Sequence, residues 1–150
     1  MRFTNRVWCL ALVLGLAAAC PVPPARGLAD ARARLARGEV KHALADLDRL
    51  GARRDVPPAE RVEAWTEGAR ACERLGDEPG ARARLEQAVQ AEVPGASEPA
   101  MYYLADRVRF EDRARALNLY YRAAAGAEKH RARGFPYRAA MDRILELSAR

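Results

Sequence analysis

The chain has 150 residues, half of them apolar and 31% charged, with 26 Lys and Arg against 20 Asp and Glu for a formal net charge of +6. That is material for one ordinary domain with a real core, which argues against global disorder. Abundant Ala and Arg beside scarce Thr, Ile and Phe favour helix over strand, and no stretch alternates with a period of two.

The positive charge is unevenly placed. Residues 1–19 carry Arg2 and Arg6 and no acid, residues 20–112 hold 15 bases and 17 acids, and from Arg113 onward eight Arg and Lys129 face only Glu128, Asp142 and Glu146. A basic C-terminal quarter suits an anionic surface or an acidic partner, and equally a solvated Arg-rich helix face.

Taken in chain order, the first signal is Arg2 and Arg6 ahead of the uncharged run Val7 to Ala19. At 13 residues the run is shorter than the roughly 20 needed to span a bilayer, which points to an export signal over residues 1–19. The run ends in Ala17-Ala18-Ala19-Cys20 followed by Pro21. Small residues before a Cys resemble the lipobox of bacterial lipoproteins, and the resemblance implies that Cys20 is lipidated and becomes the mature N-terminus. Ala17 stands where that motif has a larger aliphatic residue, and conventional cleavage after Ala19 is the alternative. With Cys9 removed and Cys20 lipidated, Cys72 has no thiol to pair with and reads as a small buried hydrophobe.

Pro21 to Arg26 reads as a stiff tether, so that residues 20–27 link the anchor to a domain at 28–150. Helices are expected over about 28–37 and 40–50, with Gly38 between them and a loop from Gly51 to Pro58. A hairpin follows, 59–75 and 79–92 around Gly76-Asp77, with Trp65, Ala69, Cys72 and Leu75 inward on its first helix and Ala81, Leu85, Ala88 and Val89 on its second. Ser97 is expected to cap a helix over 98–110, and Gly126 to stop another over 112–125. The last helix, 137–148, carries Tyr137, Ala140, Met141, Ile144 and Leu145 as one apolar stripe.

The second helices share one spacing. Ala43, Leu47 and Leu50 fall at i, i+4 and i+7, as do Ala81, Leu85 and Ala88, and Ala116, Tyr120 and Ala123, each set beginning five residues after a turn. A small residue lets two helices approach and the larger one fills the gap a turn later. On these residues the chain resembles the tetratricopeptide repeat family. Counted from Val62, Trp65, Ala69, Ala81, Leu85 and Ala88 fall on the characteristic places of its roughly 34-residue unit, with Pro94 one residue late. The first unit keeps Ala31, Ala43 and Leu47, and the third has Leu104 at a small-residue place. The resemblance implies a right-handed stack of helical hairpins, about three repeats with 137–148 as a solvating cap helix.

Chemistry is thin. His42 and His130 have no Cys or acid at metal-ligand spacing, no Gly-rich phosphate loop is present, and Ser97 and Ser148 fit no Ser-His-acid order, so neither an enzyme nor a cofactor is expected. The resemblance implies a concave groove lined in the central unit by Glu63, Thr66, Arg70, Glu73 and Arg74, in the third by Glu98, Met101, Ala105, Val108 and Arg109, and in the first by Arg32 and Leu35. Arg70, Arg74 and Arg109 could fork onto a carboxylate, or simply pair with neighbouring Glu. The Tyr pairs at 102–103 and 120–121 cannot all face inward on one helix, so an exposed Tyr such as Tyr121 or Tyr137 beside Arg122 or Arg138 would suit a protein interface.

These readings combine into a lipid-anchored adaptor or assembly factor of the cell envelope, in an outer membrane facing the periplasm, with protein partners and no nucleic-acid or small-molecule ligand. A secreted or periplasmic soluble protein is the alternative location. A pilotin-like chaperone for an outer-membrane secretion or pilus channel, and an accessory subunit of a cell-wall enzyme, are the alternative functions.

Overall fold

In the computed structural model, which describes residues 24–132 and 134–149, those residues form seven α-helices and no strand. They are α1 (Pro24–Ala36), α2 (Val40–Ala52), α3 (Pro58–Leu75), α4 (Glu78–Gln90), α5 (Ser97–Val108), α6 (Arg113–His130) and α7 (Tyr137–Ser148). The turns follow from local chemistry. Gly38 and Gly76 take φ of 80° and 73°, the left-handed geometry that a Cβ resists. Asp77 accepts the Gly80 N–H at 2.9 Å and Asp112 the Arg115 N–H at 2.9 Å, so α4 and α6 begin on carboxylate caps. Pro58 opens α3, where its missing N–H costs nothing. The same logic corrects the expected tether, because α1 already begins at Pro24.

Each helix packs on the next in sequence, and α3 also touches both α1 and α5. The residues at the repeated spacing in α2, α4 and α6 are all buried, with Tyr120, Leu47 and Leu85 among the largest fully enclosed side chains. Two apolar clusters result. Leu28, Leu35, Leu47, Leu50 and Val56 fill the N-terminal one, while Tyr102, Leu104, Leu119, Tyr120 and Ile144 belong to a larger C-terminal one. Helix α3 faces both, giving Ala64 and Ala71 to the first and Val62, Ala69 and Cys72 to the second. Cys72 is fully buried, as expected, and burial pushes its thiol pKa up. Leu75, expected inward, lies at the last turn of α3 and is 40% exposed, and Val89 is only half-buried.

Three boundaries differ from expectation, each because a packing contact overrides a local signal. Gly51 does not end α2. It lies beneath Trp65, where an added Cβ would sit 2.3 Å from the indole Nε1, so it is a close-approach glycine inside the helix. Gly126 likewise does not stop α6, which runs on to His130 and ends with Arg131 at φ 50°. A Cβ on Gly126 would come within 2.8 Å of Glu98 Oε1, so this glycine makes room for a carboxylate from α5. Ser97 is not the cap of α5. It is 1% exposed, its Oγ donates to the Ala88 carbonyl at 2.8 Å and accepts the Val93 N–H at 3.0 Å, tying the start of α5 to the end of α4.

Candidate interaction surface

The side formed by α1, α3 and α5 carries the residues expected to line a groove. Several of them are buried: Leu35, Thr66, Glu98, Met101, Ala105 and Val108 are each at most 8% exposed. They lie between neighbouring helices and cannot line an open concavity, which corrects that expectation. The exposed ones pair with each other across helices. Arg32 lies 3.1 Å from Glu63 and 3.5 Å from Glu67, Glu67 lies 3.4 Å from Arg70, and Arg70 donates to the Tyr103 hydroxyl while stacking 4.8 Å over its ring. Arg74 donates to the Leu35 carbonyl at 3.2 Å, satisfying the end of α1. Glu73 accepts from Arg107. These guanidinium groups are already in use between helices, so a carboxylate clamp at Arg70 and Arg74 would have to displace an existing bond.

The opposite side is stitched in the same way. Arg84 of α4 forks onto Asp48 of α2 at 2.6 and 2.8 Å, and this pairing raises the guanidinium pKa. Arg115 and Arg122 of α6 reach Glu86 at 3.2 Å and Glu92 at 3.1 Å. Between the 91–96 connection, α5 and α6 a cleft of about 330 Å³ brings together Met101, Arg122, Glu98 and His130. Glu98 is 4% exposed, accepts the Gly95 N–H at 3.1 Å and has His130 Nδ1 2.8 Å away. A carboxylate in the first turn of α5 and an imidazole in the last turn of α6 both complement the helix dipoles. The chief role of this pair is therefore to fasten the 91–96 connection and the start of α5 onto α6.

Among the described residues, most of the exposed large apolar side chains lie in the C-terminal third. Tyr102 and Tyr120 are buried, and edge-on contacts run from Tyr120 through Tyr102 and Phe135 to Tyr137 at 5.7, 6.1 and 5.9 Å. Tyr120 donates to Asp106 at 2.7 Å, and burial raises its pKa. Its neighbour Tyr121 points away and is 54% exposed. Arg109 lies 3.5 Å from Asp106 and stacks 4.5 Å over Phe110, which is 82% exposed at the turn after α5.

On α7 the expected single stripe is split. Ala140, Ile144 and Leu147 are buried, while Tyr137, Met141 and Leu145 are 40%, 40% and 65% exposed. Tyr137 donates to Glu128 at 3.2 Å, and Arg138 has no ion pair among the described residues. A signal for this split was present in the sequence. Ala140, Ile144 and Leu147 repeat the small-large spacing i, i+4, i+7 of Ala43, Leu47 and Leu50, so that face belongs inside and the other apolar row outside. The surface therefore gathers Tyr121, Tyr137 and Arg138 of the expected partner residues in the C-terminal third, leaves Met101 in the cleft and commits Arg70, Arg74, Arg109 and Arg122 to neighbours. Leu145, Met141 and Phe110 are the candidate contact residues missed by sequence reasoning.

Among the described residues no helix is long and apolar enough to cross a membrane, and no group of three His, Cys, Asp or Glu could hold a metal ion. The export signal and Cys20 lie outside the described residues. Compared with known proteins, the chain matches no family model, no curated protein and no solved structure.

Proposed function

We propose that the chain is an interaction adaptor or assembly factor of the cell envelope, held at a membrane through lipid on Cys20 and built as a right-handed, tetratricopeptide-like stack of three helical hairpins closed by α7. One observation carries the binding role. Of the six exposed large apolar side chains among the described residues, five (Phe110, Tyr121, Tyr137, Met141 and Leu145) lie in the C-terminal third, on a domain whose core is otherwise enclosed. The repeated buried spacing in α2, α4 and α6 supports the stack. The leader-like residues 1–19 and the small residues before Cys20 support export and the anchor, with the outer membrane as the site. The partner is a protein, since the charged sides are already paired within the fold.

Two measurements test this. Membrane fractionation of the full chain and of Cys20→Ala should move the variant to the soluble fraction; a variant still sedimenting with membrane sinks the lipid anchor. Cross-linked capture with the full chain as bait should return a stable envelope complex. A secretion or pilus channel as the main prey would favour the pilotin-like reading instead, and capture unchanged by substitution of Phe110 and Tyr121 would remove the surface from the proposal.

A further inference from the structure

The outward row of α7 is self-complementary. Tyr137, Met141 and Leu145 are spaced by four residues, so they form one row over two turns with Met141 at its middle. At 100° per residue, Arg138, Asp142 and Glu146 form a second row along one flank of the first. Arg138 and Asp142 are exposed and have no ion pair among the described residues, while Glu146 lies 2.8 Å from Arg143.

A second copy of the same helix, laid antiparallel about a two-fold axis at Met141, satisfies both rows at once. Met141 meets Met141 of the other copy, and Tyr137 of each meets Leu145 of the other. The two-fold keeps the charged flanks on the same side, and Arg138 then falls between the other copy's Asp142 and Glu146. A parallel pairing fails this test, because it sets Tyr137 against Tyr137 and places the two charged flanks on opposite sides of the contact, where Arg138 meets no acid of the other copy. We propose that the chain self-associates as a two-fold dimer through antiparallel α7 helices, with Tyr137, Met141 and Leu145 as the dry centre and Arg138 to Asp142 and Glu146 as the charged rim. This rests on the preceding reading only in treating the α7 row as an interface, and it leaves Phe110 and Tyr121 for the envelope partner.

Three large side chains per copy place the contact at the small end of protein interfaces, below about 1,200 Å² in total, where association is weak and depends on concentration. Sedimentation velocity of the full chain in mild detergent, over about a hundredfold range of concentration, should resolve a monomer–dimer equilibrium. Leu145→Asp should weaken it at least about tenfold, since a charge would be buried on the two-fold contact. Circular dichroism should show the variant folded, because Leu145 is 65% exposed. Arg138→Glu should weaken dimerisation about tenfold, and Arg138→Glu with Asp142→Arg should recover most of it. A chain monomeric throughout, a dimer indifferent to Leu145→Asp, or a charge reversal without rescue would each overturn the proposal. A monomer whose Leu145→Asp variant loses capture of an envelope protein would overturn self-association while leaving the adaptor reading intact.

Discussion

The two end helices present very different free faces. Helix α1 buries Leu28, Ala31 and Leu35 at i, i+3 and i+7, and turns Ala29, Asp30, Arg32, Ala33 and Ala36 outward, all of them small or charged. Helix α7 buries Ala140, Ile144 and Leu147 just as regularly, yet turns Tyr137, Met141 and Leu145 outward. A terminal helix of an array has one face with no neighbour, and the residues on that face decide whether water is an acceptable neighbour. By that criterion the α1 end is finished and the α7 end is not. The difference runs inward too, since the N-terminal cluster is aliphatic and the C-terminal one is built around interlocking tyrosines.

The largest effects should come from removing one central side chain from each cluster. Tyr120→Ala deletes a fully buried ring together with its bond to Asp106, and should cost about 3–5 kcal/mol in urea unfolding. Leu47→Ala in the N-terminal cluster, buried to 1% exposure, should cost about 2–4 kcal/mol. Because α3 and Leu44 belong to both clusters, each variant should still unfold in one transition. Two separated transitions would show that the clusters are independent units.

Two close-approach glycines differ between the same two ends. Gly51→Ala drives a methyl into the rigid Trp65 indole and should lose about 2–3 kcal/mol. Gly126→Ala meets the Glu98 side chain, which can shift within its cleft, and should lose about 1–2 kcal/mol. An equal or reversed order in thermal or urea unfolding would mean that the Glu98 fastening is the stiffer of the two.

Cys72 reports from the seam between the ends. Burial raises its thiol pKa above the ordinary 9.0, so an unfolded chain ionises first as pH climbs. The stabilisation is fully present below that ordinary value and is lost as pH rises through the folded one. Melting temperature should therefore fall as pH climbs past the ordinary thiol value of 9.0, and Cys72→Ala should reduce that slope. An unchanged slope would assign the alkaline loss to the buried tyrosines. The smallest effect on stability belongs to the free faces. Ala33→Asp and Leu145→Asp should each change unfolding by less than about 0.5 kcal/mol, and only the second should alter sedimentation.

Much of this architecture was legible from residues alone. Periodicity located the seven helices within a few positions, and the turns at Gly38, Gly76 and Asp112 announced themselves through backbone and capping chemistry. The misread positions share one cause. Gly51, Gly126 and Ser97 carry strong local signals for a loop, a stop and a cap, but each serves a contact with a helix distant in sequence. The groove failed similarly: Arg70 and Arg74 look available on a helix wheel, and only their neighbours at Tyr103 and Leu35 reveal that they are occupied.

The helical class, the hairpin punctuation and the inward residues of α2, α4 and α6 thus follow from the residues along the chain. Those depend on backbone preference and on the 3.6-residue period, both local properties. Which of two apolar rows on α7 is covered, which arginines remain available and which glycines are close-approach sites depend instead on how the helices pack. Each of those outcomes is set by the atom that arrives from another helix, and that atom has no signature in the residue's own neighbourhood along the chain.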